Sequence, residues 1–124
     1  MSMETLEQKR ASHAWKAVTE ARVKLGPDEY KKYVGTAKGL PALVMNSGLM
    51  QAMAFMRSKD KRHNVLADQL RNWLHDQNGT PKDFSGFMDH LFDCRPGEFQ
   101  AITTEALNWL KWLRHMAAAR AGRD

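Results

Sequence analysis

Helix-forming residues dominate the 124-residue sequence, and no segment of it has the pattern of a β-strand. Only five Val, one Ile and six Thr are present, whereas Ala, Leu and Met number fifteen, twelve and eight. β-branched residues favour strands, because a branched Cβ loses rotamer freedom in a helix, and unbranched residues favour helices. The sequence therefore predicts an all-α fold. At this length we expect a single domain, residues 1–124, with one hydrophobic core.

Four prolines divide the chain, since proline is tolerated in the first turn of a helix and disfavoured beyond it. We expect a compact bundle of about six helices, spanning about 3–25, 27–38, 41–58, 62–77, 82–93 and 97–119. Gly26-Pro27 ends the first helix, and Thr80 is the expected N-cap of the fifth.

The uncharged segment from Leu40 to Met56 is apolar on nearly all sides, and we expect it to form a buried central helix. Polar residues interrupt it, and it is shorter than the roughly 20 apolar residues that cross a bilayer. No membrane insertion is therefore expected.

Three of the predicted helices have apolar or small residues at a spacing of three or four, which places them on one face. These faces are expected to pack inward. They consist of Ala11, Ala14, Val18, Ala21 and Leu25; of Leu66, Leu70, Trp73 and Leu74; and of Phe99, Ile102, Ala106, Trp109, Leu110, Leu113 and Met116.

The net charge of +5 is unevenly distributed along the chain. Between Leu66 and Glu105, seven acidic residues outnumber three basic ones, so this segment is −4 and the other residues sum to +9. The division predicts one face for a polyanion and another for a less negative partner. A purely solubilising role for the charge is the alternative.

Basic residues cluster on the first helix, in the turn before the fourth helix and near the C-terminus. The turn has four positive charges, which can approach a phosphate backbone and bind it without reading sequence. We therefore expect salt-sensitive, sequence-independent RNA binding. The clusters are Lys9, Arg10 and Lys16; Arg57, Lys59, Lys61 and Arg62; and Lys111, Arg114, Arg120 and Arg123.

Trp112 follows Lys111 and lies about 60° from the apolar stripe of the last helix, at the edge of the expected core. An aromatic ring beside basic groups can stack on a base or anchor a contact between subunits. Half-buried packing is the alternative interpretation.

His75-Asp76, with His63 upstream, is the strongest catalytic pattern, because a His-Asp pair occurs in the metal site of helical phosphohydrolases. Such a site needs a further carboxylate, for which Asp89 or Asp93 is available. His75 and Asp76 are expected at an exposed helix end, which argues against convergence on a metal. Sequences that cradle phosphate or present a nucleophile, such as GxxxxGK[ST] and GxSxG, are absent. We expect neither enzymatic activity nor a cofactor.

The single cysteine, Cys94, cannot form an intramolecular disulfide or a Cys-rich zinc site, which suits a reducing compartment. The first residues are charged and polar where a secretory signal would be apolar. Both observations predict a cytoplasmic protein.

Two segments resemble the small subunit of the type III-B CRISPR (Cmr) ribonucleoprotein complex. Residues 38–44, KGLPALV, and residues 46–49, NSGL, match a pattern in which a basic residue precedes Leu-Pro and an Asn-x-Gly-Leu follows. Residues 106–114, ALNWLKWLR, resemble the final helix of that family. The resemblance, including length, basic character and helical content, extends over essentially the whole chain.

The resemblance implies a helical bundle that stacks in several copies beside the backbone subunits of the complex and lines the groove for guide and target RNA. The implied partners are RNA, other CRISPR subunits and copies of this chain, in antiviral defence, while other subunits cleave. By matching position, Lys38, Lys111 and Arg114 are the implied RNA contacts. The alternative hypotheses are a helical adaptor that binds only protein, the His-Asp metal phosphohydrolase and the related type III-A small subunit.

Overall fold

The computed structural model describes residues 4–121, which form a bundle of five α-helices with no β-strand in that range. The all-α fold is confirmed, with five helices in place of the expected six. The helices are α1 (Leu6–Ser47), α2 (Leu49–Arg57), α3 (Lys61–Asn78), α4 (Phe84–Asp93) and α5 (Pro96–Ala121).

Helix α1 changes direction at Gly26, whose φ of 76° and ψ of 172° are not helical. A residue with a Cβ rarely adopts this positive φ, whereas glycine does so readily. The break divides α1 into a first arm, residues 6–25, and a second arm, residues 27–47. The interruption expected at Gly26-Pro27 is thus present.

Gln69 of α3 contacts both arms of α1. Its amide nitrogen donates to the carbonyl of Ala17 at 2.8 Å, and its amide oxygen accepts from the hydroxyl of Tyr33 at 2.7 Å. A straight helix would separate two residues sixteen positions apart by about 24 Å. Since a single side chain reaches both, the arms are sharply bent towards each other.

Gly48, with φ 86°, divides the uncharged segment that was expected to form one helix. It ends α1 by donating its N–H to the carbonyl of Val44 at 2.8 Å, and α2 starts at the next residue. Pro41 lies inside α1, so the helix start predicted there is wrong. Leu40 and Val44, one turn apart, are both buried, and this packing outweighs the local preference of proline.

All five helices contribute to the core, and the sequence-predicted stripes of α1, α3 and α5 supply 12 of its 27 buried hydrophobic residues in the described range. None of the helices within residues 4–121 combines the length and the apolar character needed to cross a membrane. The buried stripe residues are Ala14, Val18, Ala21, Leu66, Leu70, Trp73, Leu74, Ile102, Ala106, Trp109, Leu110 and Leu113.

The uncharged segment contributes one face to this core. Leu49, Met53 and Met56 have no exposed surface, whereas Met45 is 72% and Phe55 is 43% exposed. The segment therefore has an outer surface as well as a buried one.

Helix α4 begins later than predicted, because Asp83 and not Thr80 is its N-cap. The Asp83 carboxylate accepts from the N–H of Gly86 at 2.8 Å, where a negative charge also favours the helix dipole. Thr80 is buried in the preceding turn, and its carbonyl accepts from Nδ1 of His75 at 2.8 Å.

Candidate nucleic-acid interface

The turn between α2 and α3 exposes three of the four cations that were predicted there. Arg57, Lys59 and Lys61 are exposed, and Arg62 is half-buried. The guanidinium of Arg57 lies 5.2 Å from the centre of the Phe84 ring. Within residues 4–121, none of the three exposed cations has a carboxylate in salt-bridge range. Their charges are therefore available to phosphates.

Arg62 differs from the other three because two carboxylates already face it. Its Nη1 lies 2.7 Å from Asp60 Oδ2 and 3.6 Å from Glu29 Oε2. The hydrogen bond from His63 and the charge of Arg62 hold the pKa of Asp60 below its usual value, so that carboxylate stays ionised. Arg62 therefore joins the start of α3 to α1, and its charge is already met by these two carboxylates.

A groove of about 220 Å³ opens between the second arm of α1 and the α2–α3 turn. We call it the Phe55 groove. Lys38 is exposed and precedes Gly39, while the ammonium of Lys59 lies 4.8 Å from the centre of the Phe55 ring. Lys59, predicted from the charge cluster, thus borders this groove, whereas Lys38 is not among its lining residues. It is lined by Gly35, Thr36, Gly39, Leu40, Leu43, Phe55, Met56 and His63.

Lys111 and Arg114 are exposed on α5, outside the Phe55 groove. Lys111 lines a separate depression together with Trp112, Glu7 and His115. The structure therefore does not bring the two predicted basic regions into one pocket.

Trp112 is half-buried, and its indole N–H donates to Glu7 Oε2 at 3.1 Å. This bond ties α5 to the start of α1. Together with Arg10 it holds the pKa of Glu7 below its usual value. The packing role considered for Trp112 is present, and its role in subunit contact stays a prediction.

The basic cluster on the first helix is partly used inside the protein. Arg10 binds Glu105, and only 12% of its side chain is exposed, so this cation is not available to RNA. Lys9 and Lys16 are exposed. Arg120 is half-buried, with its guanidinium 4.9 Å from the centre of the Trp15 ring. Arg123 lies outside the described residues.

Two exposed apolar surfaces were missed in the sequence. Trp15 and Val23, 39% and 82% exposed, line a depression of about 580 Å³ on the first arm of α1. Phe92, 63% exposed, lies on α4 between Asp89 and Asp93. Trp15 and Val23 are apolar but lie outside the first apolar stripe, and this mismatch is the signal that could have identified the first of these surfaces.

The His-Asp pattern does not form a metal site in the part of the chain that is described. No group of three or more His, Cys, Asp or Glu side chains converges there on a possible metal position. His63 Nδ1 lies 2.6 Å from Asp60 Oδ1, and His75 Nδ1 donates to a backbone carbonyl. Partial burial and the carboxylate of Glu98 raise the pKa of the Cys94 thiol, which disfavours the nucleophilic thiolate.

Comparison with known proteins identifies the family. Residues 6–120 match the family model described as CRISPR-associated protein (Cas_Cmr5). A curated relative, the CRISPR system Cmr subunit Cmr5 of Thermus thermophilus, is 30% identical over 118 residues, covering 94% of this chain and 96% of the relative. The crystal structure of a CRISPR-associated Cmr5 family protein from the same organism matches with a TM-score of 0.78 and 27% identity, covering 94% and 97%.

These matches extend well beyond residues 38–49 and 106–114, on which the resemblance was first based. The TM-score of the structural match agrees with the fold described above. The chain belongs to the Cmr5 family of CRISPR-associated proteins, the small-subunit family that its sequence resembles.

Proposed function

We propose that this protein is a non-catalytic small subunit of a type III-B CRISPR (Cmr) ribonucleoprotein complex that contacts guide or target RNA through its exposed cations. It would act in the cytoplasm, in antiviral defence, beside other CRISPR subunits. Membership of the Cmr5 family and a relative named as a Cmr subunit support this proposal.

The α2–α3 turn is the observation that carries the RNA contact. Arg57, Lys59 and Lys61 are exposed within five residues and lack carboxylate partners in the described range, whereas Arg10 is neutralised by Glu105. Each phosphate that such a cation neutralises releases a counterion, so the affinity should fall steeply with salt. Contacts of this kind hold a backbone without selecting bases.

Lys38, Lys111 and Arg114 are proposed as further RNA contacts, because all three are exposed and match basic positions of the family pattern. Lys38 lies on the second arm of α1, close in sequence to the Phe55 groove, and the other two lie on α5. An RNA touching both regions would follow an extended path over the bundle. Arg62 contributes less, since Asp60 and Glu29 already face it.

We also propose that copies of the chain contact one another through two exposed apolar surfaces whose rims differ in charge. Trp15 and Val23 form an apolar depression whose rim has a net charge of +1, from Lys16, Lys24 and the Glu20 carboxylate that pairs with Lys24. Phe92 projects from α4 between acidic residues. Apolar matching with opposite charge at the rim favours one surface docking on the other. A head-to-tail contact of this kind repeats, and repetition produces a stack.

The RNA proposal is tested by replacing exposed lysines in matched pairs. Lys59→Gln/Lys61→Gln should weaken binding of the full-length chain to single-stranded RNA. The slope of log affinity against log salt concentration should also fall, by the amount expected for the loss of about two phosphate contacts. Lys32→Gln/Lys82→Gln makes the same charge change elsewhere and should have little effect. Fluorescence anisotropy at several salt concentrations measures both. If the two double variants lost RNA affinity equally, the α2–α3 turn would not be a defined RNA interface.

The protein-only adaptor remains the second candidate, because the Trp15 depression is almost entirely apolar and suits a protein surface. An adaptor would keep its partners in high salt after nuclease treatment and would show no affinity for single-stranded RNA. The RNA-contacting subunit would bind RNA and lose it as salt rises.

A further inference from the structure

We propose that the Phe55 groove holds one unstacked RNA base, with the flanking phosphates on the cations of the α2–α3 turn. This inference rests on the proposed RNA-contacting function and adds a base-binding site to it. The groove lies where the second arm of α1, α2 and the start of α3 meet.

The floor of the groove consists of exposed helix backbone. Gly35 and Gly39 lie one turn apart on α1, and a Cβ placed on either residue would meet no atom within 4 Å. The space above them is therefore open, and a planar ligand can lie directly against the backbone. Leu40 and Leu43 continue this surface with apolar side chains.

Phe55 supplies an aromatic wall. Its side chain is 43% exposed, although most of the other large apolar residues of α2 are buried. The His63 ring stands nearly perpendicular to it, at 81° and 6.0 Å between centres. Exposed aromatic rings beside a basic groove are the usual platforms on which single-stranded bases stack.

His63 supplies a polar group at the same wall. Its Nδ1 faces the Asp60 carboxylate at 2.6 Å, and because a carboxylate only accepts, Nδ1 carries the hydrogen. Nε2 makes no hydrogen bond within residues 4–121. A free ring nitrogen at this position can bond to a polar group on the edge of a base.

Size and charge indicate a base of RNA as the occupant. The groove, at about 220 Å³, is smaller than the roughly 300 to 1,000 Å³ of pockets for drug-sized ligands, which fits one ring system. Lys59 lies 4.8 Å from the centre of the Phe55 ring, and Lys61 and Arg57 are exposed nearby in sequence. An apolar peptide would gain nothing from these cations, whereas a nucleotide places a phosphate on each side of its base.

The test uses the full-length chain and a short single-stranded RNA with 2-aminopurine at one position, in low salt. Stacking on Phe55 should quench the 2-aminopurine fluorescence. Phe55→Ala should abolish the quenching and weaken binding roughly tenfold, the size expected for loss of one base–aromatic stack. Met45→Ala removes another exposed apolar side chain, one outside the groove, and should leave both readouts unchanged.

Gly39→Leu is a second variant that fills the groove without threatening the fold. The added side chain points into open space, and leucine is a better helix former than glycine, so the thermal unfolding midpoint should not fall. Quenching should be lost here as well. Circular dichroism of each variant confirms that the helices are intact.

The outcomes separate this site from the proposed function. If Phe55→Ala and Gly39→Leu quench and bind like the wild type while Lys59→Gln/Lys61→Gln binds weakly, the base site is overturned and the RNA-contacting function stands. If the wild-type chain binds no RNA, both are overturned. If the groove variants instead lose a protein partner and keep RNA binding, the groove is a protein contact and the base site is overturned.

Discussion

The guanidinium of Arg10 binds the carboxylate of Glu105 with two hydrogen bonds, from Nε to Oε2 at 2.8 Å and from Nη2 to Oε1 at 2.7 Å. The indole N–H of Trp73 also donates to Oε2, at 3.0 Å. The two charged side chains are only 12% and 11% exposed, and the hydrogen bond to Glu105 raises the pKa of Arg10. This carboxylate therefore joins α5 to both α1 and α3.

Replacing Glu105 with Ala should destabilise the protein, because Arg10 and Trp73 would each lose an acceptor in a poorly hydrated site. We expect the free energy of unfolding to fall by about 2–4 kcal/mol, measured by urea titration. Glu20→Ala removes an exposed carboxylate that pairs with Lys24, and should change it by less than about 0.5 kcal/mol. Equal effects of the two substitutions would contradict the structural role of Glu105.

His13 should make the stability depend on pH. Burial lowers the pKa of His13, and its Nδ1 accepts from the indole N–H of Trp109 at 3.0 Å, so protonation would also break that bond. The unfolded chain therefore binds a proton more readily than the folded chain. The contribution is fully present above the ordinary pKa of about 6.5 and is lost as the pH falls below it.

Chemical denaturation between about pH 7 and pH 5 measures this effect. The decline in the free energy of unfolding should be smaller in His13→Gln, whose amide does not titrate. His115→Gln, which changes an exposed histidine, should retain the wild-type slope. An unaltered slope in His13→Gln would show that another group is responsible.

Reversing the charges of Lys111 and Arg114 should weaken RNA binding by the assembled complex. Both residues are exposed on α5, and Lys111→Glu/Arg114→Glu replaces attraction to phosphates with repulsion. We expect a loss of at least about tenfold in affinity near roughly 100 mM salt and a shallower dependence on salt. Binding and salt slope equal to those of the wild type would remove α5 from the RNA interface.

Truncating Phe92 should weaken association between copies of the chain. If Phe92 of one copy enters the Trp15 depression of the next, Phe92→Ala and Trp15→Ala should each raise the dissociation constant roughly tenfold, as for a central aromatic contact. The double variant should be little weaker than either single one, because both remove the same contact. Analytical ultracentrifugation measures this, and additive losses would contradict direct pairing.

The purified protein should show no metal-dependent nuclease or phosphatase activity. His75 donates to the Thr80 carbonyl, and no three potential ligands converge within residues 4–121. Incubation with RNA and a phosphate ester in the presence of Mg²⁺, Mn²⁺ or Zn²⁺ tests this prediction. Activity that His75→Ala abolishes would establish the metal phosphohydrolase in its place.

Local patterns in the sequence were sufficient to predict the fold class, the break at Gly26 and the apolar faces of α1, α3 and α5. These features depend on neighbouring residues: the positive φ that glycine allows and the spacing that places side chains on one face. The charged turn from Arg57 to Arg62 was likewise visible, because charged side chains next to one another remain at the surface in most folds.

Other features depend on residues distant in the sequence, and only the folded chain decides them. Arg10 has the sequence context of a surface cation, but Glu105, 95 positions away, binds it in the folded chain. Pro41 was expected to begin a helix, but the burial of Leu40 and Val44 keeps α1 continuous through it.

The Phe55 groove combines features that local sequence determines with features that only the packing of the helices determines. Composition and spacing determined that α1, α2 and α3 are helices and that cations lie between two of them. Whether Phe55 points inward or outward, and whether Gly35 and Gly39 face another helix or open space, follows from how the helices pack. Such packing depends on the shape and volume of many side chains at once, which no local pattern specifies.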